Sequence, residues 1–236
     1  LLAVDISGSM QVDDMQIGQN RVQRIDAVKL VLGEFIERRR GDRLGLILFG
    51  SNAYLQAPLT FDSNTVKRFL MEAQLGFAGR ETAIGDAIGL AVKRLRDRPA
   101  ESRVLILLTD GANTSGEVQP AEAAQEAADN GIRIHAIGIG AESITVPGLF
   151  GSSFGARTIN PSSELDEATL STLAEKTGGR YFRARNPAEL VEIYRLLDLL
   201  EPVEQDATTY RPRTSLYHWP LAFALTCSLL LGWRRP

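Results

Sequence analysis

The amino-acid sequence predicts an α/β fold with a mostly parallel, doubly wound, Rossmann-like sheet. Apolar runs that suit buried strands alternate along the chain with helical patterns of about 10 to 18 residues, which is typical of parallel sheets wrapped by helices. The 236 residues are 44% apolar and 23% charged, the balance of a globular chain that can bury a core. This length suits one α/β domain with a remainder, or two small domains.

Six apolar runs predict the strands. Their ranges are 1–4, 43–50, 53–58, 103–110, 132–140 and 180–184. Most are nearly continuous, as expected for strands covered on both faces, whereas 53–58 alternates and ends in a proline, so we expect it at an edge and antiparallel to its neighbour. Leu1 is not an initiator residue, so we expect a truncated first strand and a further segment upstream.

Helical spacing of apolar residues predicts six helices in the same part of the chain. They are 21–39, 62–73, a helix opened by Thr82, 120–130, 166–177 and 186–200. Asn186 is the predicted N-cap of the last one. Gly85 and Gly89 lie in the third, and we expect both to let this helix approach its neighbour closely.

The C-terminal part has a different character. Residues 201–215 are polar and contain prolines, which indicates a linker, and residues 216–233 carry no charge over 18 positions. A helix of that length spans about 27 Å, so we expect a transmembrane helix with Trp219 and Trp233 at the membrane surfaces. The alternative is a buried core helix.

The composition argues against several functional classes. The net charge of −3 does not favour nucleic-acid binding, which needs a basic face. The single cysteine, Cys227, allows no intrachain disulfide. The two histidines, His135 and His218, lie far apart in sequence, so with one cysteine they cannot form a four-ligand zinc site without carboxylates.

Oxygen-bearing side chains collect where we expect one edge of the sheet. Asp5, Ser7 and Ser9 follow the first strand, Asp110 ends the fourth, and Thr82 follows a loop that can reach the same edge. The carboxyl ends of the strands form the ligand crevice of an open α/β sheet. Two carboxylates and three hydroxyls suit a hard divalent cation, so we expect Mg²⁺ there, or else Mn²⁺ or Ca²⁺. Taken singly, Thr82 could be a plain helix N-cap and Asp110 a turn former.

Three segments carry a family resemblance. "DISGS", the threonine of "GRETAIGDA" and the aspartate of "LLTDGANTSG" resemble the metal-ion-dependent adhesion site of von Willebrand factor A domains. That motif is Asp-x-Ser-x-Ser, then Thr, then Asp, and the five residues named above match it. The resemblance covers residues 1–200 and implies the fold of that family. It also implies that the hydroxyls bind the ion directly, that the aspartates act largely through water, and that a protein partner supplies a carboxylate.

A narrower resemblance concerns "GDRLGLILFGSNAYLQAPLT", "GGRYFRA" and "LYHWPLAFAL", which are similar to bacterial membrane-anchored Bat-type (aerotolerance) proteins. It implies a place in the inner membrane with the von Willebrand factor A domain in the periplasm. It also implies a stress-tolerance or complex-assembly role, with sister proteins of the same kind or an AAA+ ATPase system as partners.

The alternative function is a Mg²⁺-dependent phosphotransferase or phosphatase of the haloacid-dehalogenase type, which also has an aspartate after its first strand. That chemistry needs an acid/base aspartate two residues later, and position 7 is a serine. A serine nucleophile at Ser7 or Ser9 would lack a histidine partner. We therefore expect a binding module and no enzyme activity.

Other polar residues receive structural interpretations. Asp13 and Asp14 are interpreted as a solvated acidic loop, because their spacing from "DISGS" is one residue too long for a second cation site. His135 lies in a predicted strand and is interpreted as a core histidine with satisfied hydrogen bonds. Asp86 is expected to support the cation site.

Residues 141–164 form a long predicted loop at the same edge as the proposed ion. Loops of about two dozen residues are usually functional or disordered. We expect its apolar residues Leu149, Phe150 and Phe154, with Val146, to form a rim that contacts the partner. The alternative is that they fold back onto the core.

Overall fold

The computed structural model describes residues 1–18, 20–146, 157–201 and 218–233. Its strands are Leu2–Asp5 (β1), Met15–Ile17 (β2), Asn20–Val22 (β3), Leu44–Phe49 (β4), Ala53–Thr60 (β5), Val104–Thr109 (β6), Arg133–Ile139 (β7), Ile144–Val146 (β8), Arg157–Ile159 (β9) and Tyr181–Ala184 (β10). Its helices are Arg24–Arg38 (α1), Ser63–Glu72 (α2), Ile84–Leu95 (α3), Pro120–Asp129 (α4), Glu167–Lys176 (α5), Pro187–Leu200 (α6) and His218–Trp233 (α7).

Six strands form the central sheet, in the order β10-β7-β6-β1-β4-β5. All neighbouring pairs are parallel except β4 and β5, which are antiparallel and place β5 at one edge. The prediction of a mostly parallel sheet with one antiparallel edge strand is confirmed. Pro58 lies in β5, where an edge position tolerates the missing N–H group.

The direction of chain travel reverses at β1. From β1 the chain runs outward through β4 and β5, and it then crosses to the other side of β1 and runs outward through β6, β7 and β10. Such a reversal leaves a crevice between β1 and β6 at the carboxyl ends of both strands, the usual ligand position in open α/β sheets.

Helices cover both faces of this sheet. Side chains of β1 alternate between two cores: Leu2 and Val4 pack with α1, α2 and α6, whereas Ala3 packs with α3, α4 and α5. Because both faces are covered, every residue of β4 is buried. This burial explains the continuous apolar run that predicts the strand.

Two antiparallel hairpins, β2–β3 and β8–β9, are additional to the predicted elements. Hairpin β2–β3 takes up residues that the helical pattern assigns to the first helix, so α1 begins at Arg24 and not at 21. Strands of three residues are too short to show a convincing alternation. At the edge of the sheet, β5 continues to Thr60, two residues beyond its predicted end.

The chain divides into two compact units, residues 1–204 and 205–236. In the second unit the structure describes the helix α7, which has 16 residues. The prediction of a transmembrane helix over 216–233 is corrected here, since among the described residues no helix is both long enough and apolar enough to cross a membrane.

Candidate metal centre

The loop after β1 carries three of the five predicted ligands. Asp5 ends β1 and is fully buried, as is Ser7. Asp5 Oδ1 accepts a 2.8 Å hydrogen bond from the Ser7 backbone N–H, and Asp5 Oδ2 accepts one of 2.6 Å from Thr109 Oγ1 at the end of β6. Ser7 Oγ and Ser9 Oγ lie 3.0 Å apart, so the two hydroxyls converge.

Strand β6 brings Asp110 to this loop. Asp110 directly follows β6 and is buried. Its Oδ1 accepts a 2.6 Å hydrogen bond from Ser9 Oγ. A carboxylate and a hydroxyl that are far apart in sequence therefore meet in the crevice between β1 and β6.

The segment before α3 carries Thr82 to the same place. Backbone hydrogen bonds join residues 76–83 to the loops after β1 and β4: Gly76 N to Ile6 O (2.9 Å), Gly8 N to Arg80 O (3.0 Å) and Ala83 N to Gly50 O (2.7 Å). A Cβ atom on Gly111 would lie 3.8 Å from Thr82 Oγ1 and 4.0 Å from Ser9 Oγ. Both hydroxyls therefore lie near Gly111, which brings Thr82 to the same crevice as the other four predicted residues.

Asn113 is the residue that caps α3, and sequence reasoning missed it. Its Oδ1 accepts hydrogen bonds from Ile84 N (2.8 Å) and Gly85 N (3.3 Å). The N-cap position itself is Ala83, so the interpretation of Thr82 as a plain N-cap is wrong. A cap contributed by a distant loop leaves no local sequence signal.

Asp86 supports the loop that follows Asp110. Its Oδ1 accepts hydrogen bonds from the backbone N–H groups of Glu117 (3.0 Å) and Val118 (2.9 Å). The expected supporting role of Asp86 thus has a physical basis, because these bonds fasten the loop to α3.

Arg24 is the second residue that sequence reasoning missed. It is 1% exposed and makes a two-pronged ion pair with Asp14, in which Nε lies 2.9 Å from Oδ1 and Nη2 lies 2.6 Å from Oδ2. Its Nη1 donates a 2.7 Å hydrogen bond to Asp110 Oδ2. The interpretation of Asp14 as part of a solvated loop is therefore wrong, whereas Asp13 is exposed as expected.

The electrostatics of the two site carboxylates favour a cation. Burial, together with the charge of Asp110, raises the pKa of Asp5 to about 7. Burial also raises the pKa of Asp110, although hydrogen bonds from Ser9 and Arg24 oppose it. Two buried carboxylates close together are unfavourable as a charged pair, and a bound cation relieves that cost.

The oxygen spacing fits a small divalent ion. Mg²⁺ holds its ligands at about 2.0 to 2.1 Å in an octahedron, so neighbouring ligand oxygens lie about 2.8 to 3.0 Å apart. Ser7 Oγ and Ser9 Oγ are hydrogen-bonded to each other at 3.0 Å, a separation that is also compatible with that edge. In the ranges that the structure describes, no group of three or more His, Cys, Asp or Glu side chains is placed so that it could hold a metal ion.

His135 lies away from this site and is a buried residue of β7. Its Nδ1 accepts a 3.2 Å hydrogen bond from Arg180 N, and its Nε2 lies 3.1 Å from Glu201 Oε1. Both ring nitrogens have partners, so the interpretation as a satisfied core histidine is confirmed.

The predicted partner rim lies outside the described residues, since Leu149, Phe150 and Phe154 fall between positions 146 and 157. Ala141 and Ser162 stand on either side of that stretch. Both belong to the Arg24 network: Ala141 N donates to Asp14 Oδ2 (2.9 Å), and Ser162 Oγ lies 3.2 Å from Arg24 Nη2.

Comparison with known proteins gives a family and several relatives. The sequence model of the von Willebrand factor type A domain family matches residues 1–196 of the chain. The solved structure of the conserved hypothetical protein BatB from Bacteroides thetaiotaomicron is 28% identical, with a TM-score of 0.66, over 84% of this chain and 96% of that one. An aerotolerance-related membrane protein from Bacteroides fragilis is also 28% identical, with a TM-score of 0.64, over 83% of this chain and 95% of that one.

A curated relative, an uncharacterized protein of Borreliella burgdorferi, is 27% identical over 184 residues. The match covers 77% of this chain and 52% of the relative. The chain therefore spans about half the length of that protein.

Proposed function

Because the chain belongs to the von Willebrand factor type A domain family, we propose that its crevice binds a divalent cation and that this cation captures a carboxylate of a protein partner. The observation that carries the proposal is the gathering of side-chain oxygens from Asp5, Ser7, Ser9, Thr82 and Asp110 at the carboxyl ends of β1 and β6, where Ser9 Oγ contacts both Ser7 Oγ and Asp110 Oδ1.

The three hydroxyls are the direct ligands in this proposal, and the two aspartates act largely through water. An ion with few anionic direct ligands stays strongly electrophilic, so a carboxylate from another protein binds it well. Mg²⁺ is the expected ion, since it accepts an all-oxygen set and keeps some waters; Mn²⁺ and Ca²⁺ are the other candidates.

The proposed role is binding without catalysis. The haloacid-dehalogenase mechanism needs an acid/base carboxylate two residues after the nucleophilic aspartate. Here that position is Ser7, which has no carboxylate and whose backbone N–H donates to Asp5 Oδ1. His135 is held by Arg180 and Glu201, away from Ser7 and Ser9. Incubation with p-nitrophenyl phosphate and Mg²⁺ checks this proposal, and phosphate release above that of an Asp5→Ala variant would contradict it.

The biological setting is proposed from the relatives. Two of them are described as BatB and as an aerotolerance-related membrane protein. We propose that this chain acts in a bacterial membrane system for stress tolerance or complex assembly, with the domain in the periplasm and with sister proteins or an AAA+ ATPase system as partners. The test is a pull-down with the immobilised full chain, analysed by mass spectrometry. We expect such proteins to be retained in Mg²⁺ and to be released by EDTA.

The apolar residues Leu149, Phe150 and Phe154 are proposed to add contact area beside the ion. Replacing all three by serine should remove Mg²⁺-dependent retention of the partner and leave the melting temperature almost unchanged. A melting temperature lowered by several degrees, with retention intact, would give these residues a structural role.

Substitution of Asp5 tests the cation site directly. Calorimetric titration of the full chain with MnCl₂ should show one site, and Asp5→Ala should abolish it, because Asp5 orders the serine loop and supplies charge. Asp13→Ala is the matched control, since it removes the same charge from an exposed position nearby and should leave binding intact. Unchanged Mn²⁺ binding in Asp5→Ala would contradict the proposal.

A further inference from the structure

Arg24 is placed where it acts on the cation site without entering it. It is the first residue of α1, and its guanidinium lies between two buried carboxylates, those of Asp14 and Asp110. Both partner side chains are 0% exposed. Arg24 Nη2 also donates a 3.0 Å hydrogen bond to Pro161 O, so the guanidinium is held from several sides and its position is well defined.

The contact with Asp110 gives each oxygen of that carboxylate a separate role. Oδ2 accepts from Arg24 Nη1 at 2.7 Å, and Oδ1 accepts from Ser9 Oγ at 2.6 Å. The arginine therefore turns one oxygen of Asp110 away from the serine hydroxyls and holds the other towards them. It also brings a positive charge into the surroundings of the proposed ion.

The second carboxylate, Asp14, controls how much of that positive charge acts on the site. The pairing of Asp14 with Nε and Nη2 directs most of the arginine's hydrogen-bonding capacity away from Asp110. Asp14 and Arg24 thus have opposite electrostatic effects on an ion bound beside Asp110, although both stabilise the same buried network.

We propose that Arg24 is a positioning residue that orients Asp110 and lowers the intrinsic cation affinity of the site, and that Asp14 sets the strength of this effect. This inference rests on the proposed function, because it concerns the same cation. Its consequence is a weakly held ion that still needs a further anionic ligand, so a partner's carboxylate contributes much of the final stability of the complex.

Two substitutions with opposite expected signs test the inference. Arg24→Gln removes the positive charge and keeps hydrogen-bonding groups, so the dissociation constant for Mn²⁺ should fall at least about threefold. Asp14→Asn leaves the arginine with Asp110 as its remaining carboxylate partner, so the dissociation constant should rise at least about threefold. Both variants should melt at lower temperature than the parent, since each breaks a buried ion pair.

Two further variants act as controls. Arg24→Lys keeps the positive charge with a different shape, so the Mn²⁺ affinity should not increase. Arg39→Gln removes a second buried arginine just beyond the other end of α1, where it pairs with Asp42 and Asp198. This change should lower the melting temperature and leave the Mn²⁺ affinity of the full chain unchanged.

The outcomes separate this inference from the proposed function. If the parent chain binds no Mn²⁺, the proposed function fails and the inference fails with it. If the parent binds Mn²⁺ but Arg24→Gln and Asp14→Asn both weaken binding, the cation site stands and Arg24 has only a structural role. Tighter binding in Arg24→Gln with weaker binding in Asp14→Asn supports the inference.

Discussion

At the scale of single residues, Glu201 shows how partners outweigh burial. It follows α6, and its carboxylate accepts hydrogen bonds from Arg133 (2.6 and 2.9 Å) and lies 3.1 Å from His135 Nε2. Burial alone would raise the pKa of Glu201, but the hydrogen bonds and charges of His135 and Arg133 lower it to about 2. Glu201 therefore fastens the end of α6 to β7.

Substitution of Glu201 should weaken the fold in a pH-dependent way. The Glu201 carboxylate binds a proton less tightly in the folded state than in the unfolded chain, where its pKa is near 4.5. Its contribution to the free energy of unfolding is therefore complete above pH 4.5 and is lost as the pH falls towards 2. Glu201→Gln should lower the free energy of unfolding at pH 7 by about 1 kcal/mol, allowing for solvent screening, and by less at pH 3.

Urea unfolding at both pH values measures this effect. Glu142→Gln is the matched control, because Glu142 pairs with Arg185 on the surface and should leave the unfolding midpoint unchanged. An equal loss at pH 7 and pH 3 in Glu201→Gln would mean that its charge is not what stabilises the fold.

At the scale of elements, α3 is fixed to the site by close backbone contact on one side. A Cβ atom on Gly85 would lie 1.9 Å from Val118 O, in the loop that follows Asp110. The expected close approach at Gly85 is therefore confirmed, although its neighbour is a loop. The same expectation for Gly89 is wrong, because nothing lies within 4 Å of a Cβ atom placed there.

The two glycines of α3 give a matched pair of substitutions. Gly85→Ala should lower the free energy of unfolding by about 1 to 3 kcal/mol, because the added methyl displaces the loop backbone. Gly89→Ala should raise it by up to about 1 kcal/mol, because alanine favours a helix and meets no obstacle. Chemical denaturation checks both, and a neutral Gly85→Ala would show that the loop yields easily.

At the scale of the whole molecule, the proposed cation links binding to folding. Its ligands come from the ends of β1 and β6 and from the segment before α3, so they assemble only in the folded chain. A ligand at 100 times its dissociation constant adds about 2.7 kcal/mol to the free energy of unfolding. For a domain of this size each kcal/mol raises the melting temperature by about 2 to 4 °C.

Calorimetric scans of the full chain should therefore show a melting temperature that increases with MgCl₂ concentration and returns to its starting value with EDTA. Sodium chloride at equal ionic strength is the control for general screening. Ser9→Ala should reduce the increase, since it removes a hydroxyl that is proposed to bind the ion directly. If Mg²⁺ gave the same increase in Asp5→Ala, the stabilisation would come from another part of the molecule.

The sequence by itself determined the class of fold and the edge of the sheet at which oxygen-bearing side chains gather. The inner strands of the sheet are buried on both faces, so their apolar runs are plain in the sequence, and helices on the surface of the sheet keep a 3.6-residue period. Asp5, Ser7 and Ser9 are close in sequence, and the carboxyl end of a parallel sheet is where ligands bind. Local pattern and a topological rule were sufficient for these features.

Only the tertiary structure decided the rest, because it depends on contacts between residues far apart in sequence. Arg24 reads as an ordinary helix residue until the fold places Asp110 beside it, 86 positions away. Asn113 caps a helix that begins 29 positions before it. Asp14 is buried in the fold, and a buried charge requires a partner, so it pairs with Arg24. The sequence does not state which residues the fold brings together.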